Sequence, residues 1–482
     1  MIPIDQAELA KHNTAASCWV VIHGKVWDVT DFLNEHPGGV GLIMKFAGQD
    51  ATDSYDEIHN ADLVAEILPA QNYRGNLGHD FTATAQALDT NVQKTKTNSK
   101  SIYPPLSSLI NISDFEKVAQ LYLSPSAWAY YSSGSEDEIS LQDSRRLFTR
   151  ISLRPRILRN VETISTSTSI LGITSSLPFY ISPTGQGRYA HREAETILTR
   201  AAGIEGIVYC TPTRSSTPHE AVFGARVSRD QAVFFQLYAN RDRGKTQELI
   251  RQAEALGAAA IFLTVDSPVL GRRERDERVI IEYLGEQEGQ QSAADAVANA
   301  GVAKSSATGL LSSSLTWEDL HWIKETTSLP LVIKGIQSVE DAILAFDRGV
   351  QGIVLSNHGG RSLDTAQAPI LTLLEISRHA PHLLAPEMRH RFQVFLDGGI
   401  RRGTDVLKAL ALGATAVGIG RPFLYALTAG YGEAGVRRLV QMLRTELKVS
   451  MALAGAVSVQ GVVGDMVNSV RAEREVSRRV KL

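Results

Sequence analysis

Gly352-Ile353-Val354-Leu355-Ser356-Asn357-His358-Gly359-Gly360-Arg361 is an apolar run that stops abruptly in a histidine, two glycines and an arginine. The run has no polar alternation, so it reads as a strand buried on both faces. Its end reads as a catalytic strand end: histidine takes a proton near neutral pH, glycine admits a planar ligand, and arginine grips a carboxylate through paired hydrogen bonds. Alone, the hexapeptide 356–361 is equally a capped strand with a loop histidine. The surrounding chain decides between the two.

The opening run covers 353–355, and seven more of its kind lie at 179–182, 207–210, 233–237, 261–265, 331–333, 394–396 and 416–419. Helix-like segments at 192–202, 244–256, 339–347 and 403–412 separate most of them. Eight strands alternating with helices predict an α/β (β/α)8 TIM barrel. The competing open doubly wound sheet lacks the Gly-x-Gly-x-x-Gly that opens its first helix. In a barrel, chemistry belongs at the C-terminal strand ends. The polar residues there are Thr184, Thr211, Gln236 with Tyr238, Thr264 with Asp266, Lys334, Ser356 with His358, and Asp397. Any one of these is an ordinary strand-end hydrogen-bonding group, but a set in register points to a site. Asp397-Gly398-Gly399-Ile400-Arg401-Arg402-Gly403 and Gly418-Ile419-Gly420-Arg421 put glycine-rich loops with arginines after strands seven and eight, where barrels commonly bind phosphate.

The 482 residues, 43% hydrophobic and 21% charged, allow two or three domains with a large core. Two cysteines, Cys18 and Cys210, exclude a disulfide framework and a thiolate metal cluster. The polar opening and the absence of any long apolar run predict a cytoplasmic protein without a membrane span, with the mitochondrial intermembrane space as the alternative should a targeting segment precede this sequence, and the ending Val480-Lys481-Leu482 departs from the Ser-Lys-Leu peroxisomal address. Residues 1–100 carry 7 Lys+Arg against 13 Asp+Glu, a balance of −6 within a total of −3. Nucleic acid is therefore not an expected partner, whereas a small basic protein suits the acidic end.

That end reads as a separate α+β module. Cys18 to Ile22, a turn at His23-Gly24-Lys25, and Val26 to Val29 form a hairpin. His36-Pro37-Gly38-Gly39 then stops a helix and projects its histidine, and His59 follows. Two histidines from separate helical loops, set among Phe32, Leu42, Ile43, Phe46, Leu63, Ile67 and Leu68, are placed to ligate a haem iron from both faces. The polar stretch 76–102 reads as a flexible linker. Beyond it come a helical lead-in over 114–131, the barrel, a mobile excursion over 273–315 after strand four, and a basic tail from Arg471.

Residues 1–75 resemble the cytochrome b5 family, on His36-Pro37-Gly38-Gly39, Trp27-Asp28-Val29-Thr30 and the spacing to His59. Residues from about 103 to 470 resemble the FMN-dependent 2-hydroxyacid oxidase and dehydrogenase family. The motifs are Ser356 to Arg361, Pro183-Thr184, Gln236-Leu237-Tyr238, Thr264-Val265-Asp266, Gly271-Arg272-Arg273, Leu396-Asp397-Gly398-Gly399 and Gly420-Arg421-Pro422. The order of modules is similar to the flavocytochrome b2 type, an L-lactate:cytochrome c oxidoreductase.

The resemblance implies FMN and haem b as cofactors, a small 2-hydroxy acid as substrate, a cytochrome c-like electron acceptor and a homotetramer. An oxidase using O2 directly is the alternative, and a non-catalytic haem and flavin sensor a more distant one. It also implies roles. His358 is the base, taking either the hydroxyl proton as hydride leaves C2 or the C2 proton first, with Asp266 orienting it. Arg361 and Arg273 hold the substrate carboxylate, and Tyr130 and Tyr238 contact the substrate. Lys334 lies near flavin N1. Pro183, Thr184, Thr211, Gln236 and Thr264 contact the flavin ring, Ser356 borders it, Asp397 meets the ribityl chain, and Gly399, Arg401, Gly420 and Arg421 meet the phosphate. Gly185 and Thr213 depart from the family pattern in being smaller than usual, which predicts a pocket roomier than one for lactate, suited to mandelate.

Overall fold

A computed structural model of the chain describes residues 3–33, 36, 40–56, 63–78, 103–285 and 311–476. The small unit grows from a hairpin of Ser17–Ile22 and Lys25–Asp28 in which Ile22 pairs with Lys25. The turn is therefore His23-Gly24 alone, both with positive φ (51° and 70°), the two-residue geometry that follows the twist of the strands. Asn13–Thr14 and Tyr73–Asn76 extend the sheet on either side, and Gln49–Asp50 pairs parallel to Ser17–Ile22. Leu77 bridges to Ile4, so the chain is held in this sheet past Asn76. Cys18, Val20, Ile22, Trp27, Val29, Leu33 and Leu68 form the core. Of the expected linker, residues 79–102 lie outside the described residues.

The barrel closes as expected. Its strands are β1 (Phe179–Ile181), β2 (Tyr209–Thr211), β3 (Val233–Leu237), β4 (Ile261–Thr264), β5 (Leu331–Ile336), β6 (Gly352–Leu355), β7 (Gln393–Asp397) and β8 (Ala416–Ile419). All neighbours are parallel, and β8 returns to β1 through Val417 with Phe179 and Ile419 with Ile181. Alternate side chains point inward to a packed centre of Tyr180, Cys210, Phe234, Phe262, Val332, Val354 and Phe395. Phe234 stacks on Phe262 at 5.0 Å between ring centroids. Ile170, from the hairpin Thr168–Ile170 and Ile173–Ser175, joins this cluster. The outward side chains pack on helices such as Ala194–Glu205, Arg243–Ala255, Val339–Asp347 and Gly403–Ala411. The centre is therefore filled, and the large cavity lies beyond the strand ends.

Two expectations need correction. The lead-in is two helices, Ile112–Tyr122 and Pro125–Ser132, broken because Pro125 cannot continue the first. Ser124 caps the second by accepting from Ala127 N at 3.2 Å, with Pro125 at its first position. The excursion after strand four begins as a helix, Glu274–Gly285, with Glu274, Asp276 and Glu277 in its first turn, where the helix dipole favours acids. Arg275 also ties it down, through Glu138 at 2.8 Å and Ser132 Oγ at 2.8 Å. Residues 286–310 of that expectation, and 477–482 of the tail, lie outside the described residues.

Candidate active site

The loop after β6 winds left-handed through His358 (φ 58°), Gly359 (63°) and Gly360 (77°). It is pinned from below. Ser356 Oγ accepts from His358 N at 3.1 Å, Asn357 Oδ1 accepts from Gly360 N at 3.1 Å, and Asn357 Nδ2 donates to Ser144 Oγ at 3.1 Å. The imidazole reaches Asp266, at the end of β4, with Nδ1 2.7 Å from Oδ1. An ionised carboxylate only accepts, so Nδ1 carries a proton, and in the neutral imidazole it is Nε2 that offers a lone pair. Nε2 faces the Tyr238 hydroxyl at 3.4 Å. A base aimed at the strand-end cavity results.

Behind the base lies a charge relay that fixes protonation. Asp266 Oδ2 is 3.7 Å from Lys334 Nζ, which lies 3.3 Å from Asp397 Oδ2 and donates to Ser356 Oγ at 3.0 Å. Burial opposes ionisation of Asp266, yet the charges of His358 and Lys334 outweigh it and hold the carboxyl well below the usual range. Burial likewise opposes the Lys334 ammonium, and Asp397 with Asp266 overcomes that, raising it above the ordinary lysine value. Burial pushes the Tyr238 phenol up to about 12, with Asp266 adding, so it remains a hydrogen-bond donor at neutral pH.

Arg361 and Arg273 converge on Tyr130, their guanidinium carbons 4.8 and 5.2 Å from its ring centre. Arg361 donates to the carbonyl oxygens of Tyr130 and Ser133. Burial, and then Arg273, draw its pKa down to about 10, which leaves it charged at neutral pH. Arg273 Nε faces Asp276 at 3.6 Å. Tyr189, edge-on to Tyr130 at 5.7 Å, is a wall residue that the sequence did not signal.

On the other side of the barrel mouth, Arg401 gives both terminal nitrogens to Glu116, at 3.0 and 3.3 Å, and Arg145 joins the same carboxylate at 3.0 Å. Glu116 and Arg145 had no motif to mark them. Arg421, expected on a phosphate, already donates to the carbonyls of Tyr131 (2.8 Å), Gly359 (3.0 Å) and Ser133 (2.9 Å). About two of its five N–H groups remain for another acceptor. Gly399 (φ 81°) is a glycine because a Cβ there would strike the Ser144 carbonyl.

Gly185 and Thr213 behave differently from expectation. A methyl on Gly185 would sit 2.9 Å from the Arg214 carbonyl oxygen, so this glycine accommodates backbone packing and does not itself widen the pocket. Thr213 donates to Gln236 O at 2.6 Å and accepts from Tyr238 N at 3.0 Å. Its hydroxyl is a clasp between the ends of β2 and β3, and the case for extra room rests on its small size alone.

These strand ends fit a flavin. Ser182 Oγ, Thr184 Oγ1, Thr211 Oγ1 and Asp397 Oδ1 are buried without a hydrogen-bond partner among the described residues. Such orphans cost free energy unless a ligand completes them. Ser182, Thr184 and Asp397 line the cavity, with Pro183, Gln236, Thr264 and Lys334 beside them. Gln236 is held by donating to Thr264 Oγ1 at 3.0 Å and accepting from Thr213 N at 3.1 Å. In the small unit, His36 faces a crevice lined by Phe32, Ile43, Phe46, Val64 and Leu68, an apolar slot that fits a haem. His59, expected as the second ligand, lies outside the described residues.

The chain belongs to the FMN-dependent dehydrogenase family, which it matches over residues 119–469. Ahead of that region it carries a cytochrome b5-like heme/steroid binding domain over residues 5–78, and FMN and haem b are accordingly its cofactors. Among its relatives, the L-lactate dehydrogenase (cytochrome) of Wickerhamomyces anomalus is 39% identical over 462 residues, 96% of this chain and 79% of that protein. The Saccharomyces cerevisiae protein of the same name is 38% identical with the same coverage. A mutant flavocytochrome b2 solved with benzoylformate superposes with a TM-score of 0.69 at 39% identity, over 80% of this chain and 91% of that one. A mandelate oxidase solved with (S)-2-phenylpropionate gives 0.63 at 36% identity, over 75% and 98%.

Proposed function

We propose that this protein oxidises an L-2-hydroxy acid to the 2-oxo acid and passes the electrons through its haem domain to a cytochrome c-like acceptor. The observation that carries the reading is the Asp266–His358 pair, which holds a proton on Nδ1 and turns Nε2 to the cavity wall between Tyr238 and two arginines. Bound FMN supplies the two-electron acceptor. The protein groups do the rest. Arg361 and Arg273 hold the carboxylate, which fixes C2 and its hydroxyl against the base. His358 Nε2 accepts the proton, and Asp266 stabilises the imidazolium that forms. The Lys334 ammonium offsets the negative charge that collects on the cofactor side.

The substrate is lactate or a bulkier acid such as mandelate. The names of the cytochrome-linked relatives support the first, and the benzoylformate and mandelate oxidase structures, with the small Thr213, support the second. The −6 balance of residues 1–100 suits a basic cytochrome c as acceptor. A homotetramer completes the reading, and exposed Ile157, Leu158 and Leu453 on the outer surface offer apolar area for subunit contact. The test is an anaerobic spectrum taken with a panel of 2-hydroxy acids. Flavin bleaching followed by haem reduction is expected. Bleaching with the haem left oxidised identifies an oxidase, and no bleaching with any acid refutes the enzyme.

A further inference from the structure

Arg214 follows Thr213 in the loop after β2 and lines the same cavity as Tyr238, Arg273 and His358. It is half-buried, and among the described residues it has no hydrogen-bond or ion-pair partner. Its backbone is fixed, since its carbonyl oxygen lies against Gly185 at the end of β1. Three other cations at this mouth are already engaged: Arg361 donates to two carbonyls, Arg273 faces Asp276, and Lys334 lies between Asp266 and Asp397. Among the charged side chains lining the space between base and mouth, Arg361, Arg273 and Arg214 are three cations, and Asp276 pairs with Arg273. A substrate with one carboxylate leaves this group of charges net positive. A dianion balances it.

We propose that Arg214 receives a second anionic group at the far end of a longer substrate, so that 2-hydroxydicarboxylates of four or five carbons join the monocarboxylates as substrates. This rests on the 2-hydroxyacid reading above. The first carboxylate sits on Arg361 and Arg273, and C3 and C4 run along Thr213 towards Arg214. The chemistry is unchanged: C2–H and O–H break, a C=O bond forms, His358 takes one of the two protons, and the other would pass with the two electrons to the cofactor. The distal carboxylate takes no part in bond making. It contributes binding energy and selects chain length and charge.

The experiment compares kcat/KM, with a dye as acceptor, for L-malate and (S)-2-hydroxyglutarate against the length-matched (S)-2-hydroxybutyrate and (S)-2-hydroxyvalerate. The full-length holoenzyme, Arg214→Gln and Arg214→Lys are assayed, and oxaloacetate and pyruvate binding is measured by calorimetry. A hydrogen bond to a charged group changes affinity by about 10- to 150-fold. The dicarboxylate-to-monocarboxylate ratio should therefore fall by that factor in Arg214→Gln, mostly through KM, and recover in part in Arg214→Lys. Oxaloacetate binding should weaken in parallel while pyruvate binding does not. If monocarboxylates are oxidised but the ratio is the same in all three proteins, the Arg214 assignment is wrong while the enzyme reading stands. If Arg214→Gln slows only haem reduction after normal flavin bleaching, Arg214 belongs to contact between the modules and the proposal is overturned. Failure of every 2-hydroxy acid removes both readings.

Discussion

Replacing Asp266 by asparagine tests the site most directly, because its two oxygens have different clients. Oδ1 accepts from His358 Nδ1 at 2.7 Å and Oδ2 faces Lys334 Nζ at 3.7 Å. Asparagine has a single oxygen for both. If the oxygen stays on His358, an NH2 group confronts the ammonium, and if it turns to Lys334, the NH2 donates to Nδ1 and forces the proton onto Nε2, removing the base. In the first case the loss is one of charge. A hydrogen bond to a charged group is worth about 1.5–3 kcal/mol, and an ion pair about 4 Å apart about 4 kcal/mol at an effective dielectric near 20. Either figure corresponds to roughly 10- to 10³-fold in rate. In the second case the loss approaches full removal of a general base, about 10²- to 10⁴-fold. The expected result is a 10²- to 10³-fold slower flavin bleaching in anaerobic stopped-flow, carried by kcat. FMN content and KM should be nearly unchanged, since Asp266 holds the base and not the substrate. His358→Gln sets the lower limit in the same assay. Bleaching within about threefold of the parent at equal FMN occupancy would falsify the assigned role of the pair.

Further outcomes can be checked in parallel. His36→Ala should lose haem absorbance and cytochrome reduction while dye reduction from the flavin continues; equal loss of both would show that the modules do not act separately. Raising salt from about 10 mM to 150 mM shortens the Debye length from about 30 to 8 Å, so cytochrome reduction should slow several-fold and dye reduction should not. Gly185→Ala must push the Arg214 carbonyl aside from 2.9 Å, an overpacking worth about 1–3 kcal/mol, read as a lower apparent Tm; an unchanged Tm contradicts the packing. Burial pushes the Asp405 carboxyl up to about 6. A raised carboxyl favours the folded state below its unfolded value near 4, and that contribution is lost as pH rises through about 6. Between pH 5 and 7 the apparent Tm of the parent should therefore fall relative to Asp405→Asn, and parallel profiles would rule out a buried, titrating Asp405.

The barrel was legible because its signal is local and repeated: eight unalternated apolar runs, each ending in polar residues, correspond to eight strands within a few residues. The catalytic strand ends were legible for the same reason. What the sequence concealed is nonlocal. Glu116 meets Arg401 across 285 positions, and neither that acid nor Arg145 sits in a recognisable pattern. Gly185 looked like added space, but a glycine's purpose depends on what approaches it, here the Arg214 carbonyl. The helix Glu274–Gly285 was hidden by the polar residues that follow it, which made the whole excursion look unstructured. Thr213 read as a missing bulky side chain, whereas its hydroxyl joins two strand ends.

The left-handed turn at His358 has a consequence for how this protein can change over time. Left-handed backbone costs a side chain bearing a Cβ roughly 1–2 kcal/mol relative to what glycine tolerates, and His358 adopts it between the strand and two glycines that bear no such cost. The fold by itself would be better served by glycine or asparagine at this position. Selection for turnover and selection for folding thus pull in opposite directions on one residue. A copy of this gene released from its catalytic duty would be expected to lose the histidine early and to gain stability as it did so.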